Sequence, residues 1–210
     1  MEIKHQFTSP FAFFKNTKLL PELKEYIYSQ NIEGIESQCA VKIKKNLKES
    51  KFNLFQSKEI IIKNTVKFFA QSLEKFLNEL HEENYKYDIY FNESWFHIGS
   101  KNSVHETHLH PSCSWCGIYY VDSGDTNDGE TVFCSPVQRN HMDFGTRYLD
   151  AKLQERIKPE NGLLVLFPSY LSHFQSLYTG DKDRIVVAFN MSVLINKSHS
   201  AILSNRSTKN

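Results

Sequence analysis

Residues 105–115, HETHLHPSCSW, place three histidines within six positions, and Cys113 and Cys116 follow. Imidazole and thiolate suit borderline metals, so the segment reads either as a closed zinc clip or as one edge of an open metal site. The clip fits poorly. Structural zinc draws on two well-separated knuckles, whereas His108, His110, Cys113 and Cys116 all fall within nine residues. As a redox pair, CSWC lacks the following helix whose N-terminus would stabilise a thiolate, because GIYYV reads as a strand. On a strand, residues i and i+2 share a face, so His108 and His110 present two imidazoles side by side while Leu109 points away. A third ligand from a distant strand would complete a facial triad, leaving the opposite coordination positions open. Ligand type alone does not choose among iron, zinc, copper and nickel.

His173 is the candidate third ligand. It follows the apolar run GLLVLFPSYLS, where a histidine emerging at a strand end sits at the rim of a barrel. Eleven residues later Arg184 opens the strand RIVVAFN. Arg184, Val186, Ala188 and Asn190 share one face of it, and Ile185, Val187 and Phe189 share the other. The second face is wholly apolar and suits packing. The first begins with a guanidinium fork suited to a carboxylate and leaves room for a small molecule. In GIYYVD, Tyr119 and Tyr120 point to opposite faces, and the strand alone does not say which points inward.

These residues need a scaffold. LLPELKEYIYSQ predicts a short helix from about Pro21. Residues 57–81 predict a longer one, because Ile62, Val66, Phe69, Leu73, Phe76, Leu77 and Leu80 recur at three- and four-residue steps. Ser57 is its expected N-cap. Such a stripe is packing surface and covers one face of a sheet. From about residue 85 the texture changes to short β-branched and aromatic runs. Turn-formers at 99–103, 123–129, 159–162 and 180–183 separate them, which predicts an antiparallel sandwich or barrel. The expected organisation is a helical support region over 1–85, a β core over 86–195 and a polar tail over 196–210. The loop 137–160, which includes His141, is expected to touch substrate.

The 210 residues suit one compact domain with a sizeable core. A net charge of +1, with acids and bases interspersed, argues against nucleic acid or an anionic membrane as the main partner. No run approaches the length of a membrane-spanning helix and MEIKHQF lacks an apolar leader core, so a cytoplasmic location is expected. The four cysteines, Cys39 included, are too sparse for a secreted disulfide framework and read as free thiols. Composition and motif leave the oligomeric state open.

The order HLHP…GIYYVD…GETVF…GLLVLFPSYLSHFQSLYTGDKDRIVVAFN resembles the Fe(II)/2-oxoglutarate-dependent oxygenases related to prolyl hydroxylases. The likeness covers roughly residues 86–194, and its most specific block is 162–190. It implies an α+β fold with a double-stranded β-helix (jelly roll) core and N-terminal helices packed on one sheet. It makes His108 the first metal ligand and His173 the distal one. Arg184 and Tyr120 would hold the far carboxylate of 2-oxoglutarate, with Asn190 as a further polar contact. The implied activity is hydroxylation of a small molecule or peptide, using Fe(II), 2-oxoglutarate and O2 and releasing succinate and CO2. One departure matters: most of the wider superfamily has a carboxylate where this chain has His110. His110 is expected to replace it as a ligand. Alternatively it swings away and leaves a place for water or halide, or Glu106 or His105 completes the triad. Two other functions share the fold: a three-histidine dioxygenase or isomerase of cupin type that needs no 2-oxoglutarate, and a non-catalytic jelly-roll binding module.

Overall fold

A computed structural model describes residues 9–30, 44–81, 85–136 and 153–196. Within them the expected long helix forms as α2 (Ile60–Leu80). Ile62, Phe69, Leu73, Phe76 and Leu77 of its stripe are buried, Val66 is partly buried, and Leu80 is exposed. Ser57 does not cap this helix: Glu59 occupies the N-cap position, and Ser57 instead closes the 3-10 turn Leu54–Gln56. The shorter helix is α1 (Leu20–Ser29), with proline in its first turn where no amide donor is required.

The strands are β1 (Ala12–Lys15), β2 (Lys44–Glu49), β3 (Tyr87–His108), β4 (Trp115–Asp122), β5 (Thr131–Cys134), β6 (Gln154–Ile157), β7 (Leu163–Pro168), β8 (His173–Tyr178) and β9 (Arg184–Ile195). They order as β1-β7-β4-β9-β3-β8-β5-β6, with β2 beside β3, and every ladder between them is antiparallel. The turn expected at 99–103 does not end a strand. β3 runs through it with a register shift and Asn102 at φ 63°, pairing with β9 on one side of the bend and β8 on the other. Two strands, β1 and β2, come from the segment expected to be helical, and β6 lies inside the expected loop 137–160. Residues 137–152 of that loop, His141 among them, Cys39 and residues 197–210 of the tail fall outside the described residues.

Period-two alternation sorts the side chains into two cores. Tyr119, Val121, Leu164, Leu166, Ile185, Val187 and Phe189 face the helices. Phe189 stacks on Phe69 with ring centroids 4.4 Å apart, and Gly117 makes room for it, since a Cβ there would lie 2.2 Å from the Phe189 ring. Tyr120, Val165, Phe167, Val186 and Phe133 fill the opposite face, between the curled halves of the sheet. This α+β arrangement, with helices on one side of a curled antiparallel sheet, is the expected class. No helix among the described residues is long and apolar enough to cross a membrane.

Candidate active site

His108 ends β3 and His173 opens β8, and the two are direct cross-strand partners. His173 therefore begins a strand of its own instead of ending β7. His110 lies two residues beyond the end of β3, in the turn through Ser112 at φ 62°, yet it reaches the same pocket. Nitrogens of all three rings lie within 4.8 Å of one another, and His110 Nε2 is 3.4 Å from His173 Nε2. Two nitrogens bound to one metal at about 2.1 Å and a right angle would be about 3.0 Å apart, a spacing the His110–His173 pair approaches. Glu106 is exposed and is not one of the cluster, and His105 stacks on His108 with centroids 3.9 Å apart.

Backbone carbonyls set the tautomers. Leu171 O lies 3.1 Å from His173 Nδ1, and Glu106 O lies 2.8 Å from His108 Nδ1. A carbonyl only accepts, so each Nδ1 carries the proton and each Nε2 keeps a lone pair for a metal. His173 is almost fully buried. Burial, followed by the neighbouring His108 and His110, holds its pKa well below the ordinary imidazole value and keeps it neutral.

The pocket encloses about 480 Å³, open mouth included, and runs from this cluster to Arg184. Arg184, Val186, Ala188 and Asn190 all line it, as the alternation along β9 requires. Arg184 is 2% exposed. Its Nη1 donates to Gln175 Oε1 at 2.9 Å, its Nε has no acceptor, and it pairs with no carboxylate among the described residues. The Tyr120 ring lies beneath it, 5.4 Å from the guanidinium carbon. Tyr120 is thus the inward tyrosine, and its hydroxyl shares a 2.6 Å hydrogen bond with Thr131 Oγ1. Burial raises the Tyr120 pKa against the opposing pull of Arg184, so the phenol stays protonated.

Asn190 lines the same pocket. Six residues along β9, about 20 Å from Arg184, its Nδ2 donates to Glu93 Oε2 at 2.8 Å and its Oδ1 accepts from Cys116 Sγ at 3.5 Å. Gln175, Thr131 and the buried pair His97–Glu49 (2.5 Å) were not singled out by sequence. Each is a lone polar residue on a strand, without a motif around it. The thiols of Cys113 and Cys116 stand 3.8 Å apart and unbridged, and Cys116 belongs to the pocket wall.

A family model described as "Putative 2OG-Fe(II) oxygenase" matches residues 93–190. No curated protein matches the chain. Among solved structures, a prolyl-4-hydroxylase from Pseudomonas putida superposes with a TM-score of 0.58 at 12% identity, covering 88% of this chain and 94% of that one. The viral collagen prolyl hydroxylase of Paramecium Bursaria Chlorella virus-1, solved as a 2OG complex, gives 0.56 at 11% over 86% and 94%. HygX from Streptomyces hygroscopicus, solved with nickel and 2-oxoglutarate, gives 0.56 at 12% over 88% and 83%. At these identities the superpositions establish the jelly-roll fold, and the family match shows which class residues 93–190 resemble. Over residues 93–190 this chain is thus similar to the 2OG-Fe(II) oxygenase family, whose fold the solved structures share.

Proposed function

We propose that this chain is a hydroxylase of a small molecule or peptide in which His108, His110 and His173 hold Fe(II). Arg184, with Tyr120 and Thr131, holds the far carboxylate of 2-oxoglutarate. One observation carries the reading: a single pocket has three imidazoles at one end and, at the other, a buried guanidinium with no carboxylate partner among the described residues. A buried cation with no carboxylate paired to it among the described residues is costly, and it fits a site where a ligand brings one. His173 and Gln175, which contacts Arg184, are two residues apart on β8, about 6.7 Å along the strand. A five-carbon diacid can bridge such a span.

When bound, the metal and co-substrate supply the oxidising chemistry: O2 is consumed, 2-oxoglutarate is decarboxylated to succinate and CO2, and an oxygen atom is transferred. The protein's own groups do the rest. Leu171 O and Glu106 O hold two imidazoles in the ligating tautomer. Arg184 orients the co-substrate as a fork, and the Tyr120 ring and Val186 exclude water from that contact. Asn190, further along the same wall, is a further polar group of the pocket. On this reading residues 86–195 form the catalytic core, 1–85 its supporting layer and 196–210 a tail.

The all-histidine set favours a second reading, a three-histidine dioxygenase or isomerase that uses no 2-oxoglutarate. Arg184 has no task there. Binding separates the two. The Mn(II)-loaded chain should bind 2-oxoglutarate, whereas pyruvate lacks the far carboxylate and glutarate lacks the chelating 2-oxo group, so both should bind poorly. Metal-loaded protein that ignores 2-oxoglutarate would support the second reading.

A further inference from the structure

Gln175 lies on the pocket face of β8 and is 9% exposed. It is cross-strand partner to Thr131 on one side and His105 on the other. Its amide orientation is fixed by chemistry. Nε2 lies 3.3 Å from Ser103 O, which can only accept, so Nε2 points there and Oε1 points at Arg184 Nη1, 2.9 Å away. Ser103 Oγ, also 3.3 Å from Nε2, adds a second contact. Ser103 is fully buried, so the amide is clamped from behind.

We propose that Gln175 is a positioning residue for co-substrate selection: it aims Arg184 with a neutral acceptor, leaving the cation's charge for the distal carboxylate of a 2-oxo diacid. The inference rests on the function proposed above. Glutamate is nearly isosteric with glutamine and would keep the contact with Arg184, at the loss of the hydrogen bond to Ser103 O. It would also neutralise the guanidinium, so the fork would already be paired when a dicarboxylate arrived. An apolar residue would leave the charge but lose the aim. Only an uncharged acceptor both orients Arg184 and keeps it attractive to an anion. That arrangement favours ligand capture over the stability of the ligand-free chain.

The two roles separate in the full chain loaded with Mn(II), titrated calorimetrically with 2-oxoglutarate and with oxalate, which chelates the metal but has no distal arm. For Gln175→Glu, 2-oxoglutarate should bind about 10- to 100-fold more weakly, the value of one charge-assisted hydrogen bond. Oxalate affinity should stay within about threefold. For Gln175→Met, 2-oxoglutarate binding should also weaken, but the melting temperature should fall. A merely structural glutamine would weaken oxalate and 2-oxoglutarate in parallel. Gln175→Glu binding 2-oxoglutarate like the parent, or losing oxalate in parallel, would overturn the assignment. A parent chain that binds oxalate but not 2-oxoglutarate would instead overturn the proposed function itself.

Discussion

Replacing Arg184 by methionine, which keeps the length of the stem, should remove 2-oxoglutarate binding without removing the metal. The guanidinium has five donors, and Gln175 Oε1 accepts from one of them. A carboxylate accepting two of the others would gain about 1.5–3 kcal/mol from each charge-assisted bond. Taking about 4 kcal/mol for the pair, the dissociation constant should rise roughly 1000-fold. Stability should change little, because two effects oppose. Removing an uncompensated buried cation relieves a cost of about 1–3 kcal/mol. Leaving Gln175 Oε1 unpaired imposes about 1–2 kcal/mol. Metal affinity should be unchanged or slightly tighter, since losing a cation from the same pocket can only favour a dication. Chelator competition measures the metal, and calorimetric titration of the Mn(II)-loaded variant measures 2-oxoglutarate. A variant that loses metal yet keeps co-substrate affinity would refute this division of the pocket.

His110→Ala should weaken metal binding about 100-fold, taking a ligand as worth about 3 kcal/mol of a structural site's total; His110→Asp should restore most of it. Unchanged metal affinity in the alanine variant, measured by chelator competition, would place His110 outside the ligand set. Gly117→Ala should destabilise by about 2–3 kcal/mol because its Cβ meets the Phe189 ring, lowering the melting temperature by roughly 4–10 °C; an unchanged melting curve would show that the ring is not seated there. Burial pushes the Asp128 carboxyl up, but hydrogen bonds from the Thr126 hydroxyl and the Thr179 hydroxyl and N–H outweigh it and hold the pKa below the ordinary value. Its contribution is therefore complete above about pH 4 and lost as pH falls through the lower folded value. Asp128→Asn should flatten the acid limb of thermal stability below pH 4, and an identical limb in both proteins would contradict the assignment.

The histidine cluster was legible because its signal is local: HLH within three residues, then one histidine after a strongly apolar strand. The face of β9 was equally legible, since Ile185, Val187 and Phe189 are apolar while Arg184 and Asn190 alternate with them. Tyr119 and Tyr120 could not be separated, because β4 is buried on both faces and carries no polar–apolar contrast. β2, KKNLKE, has a charged composition without strand propensity and exists because β3 offers it a ladder. The bend of β3 likewise hid in turn-forming residues that the ladder with β9 and β8 overrode. Gln175 and Thr131 become visible only when β5 and β8 pair and bring them beside Arg184 and Tyr120.

The central claim is that this one pocket holds Fe(II) and 2-oxoglutarate together. Anaerobic addition of 2-oxoglutarate to the Fe(II)-loaded chain tests it directly by visible absorption. The account predicts a weak metal-to-ligand charge-transfer band that saturates with 2-oxoglutarate and is lost in His173→Ala. Iron bound by the parent chain with no band at saturating 2-oxoglutarate would contradict it.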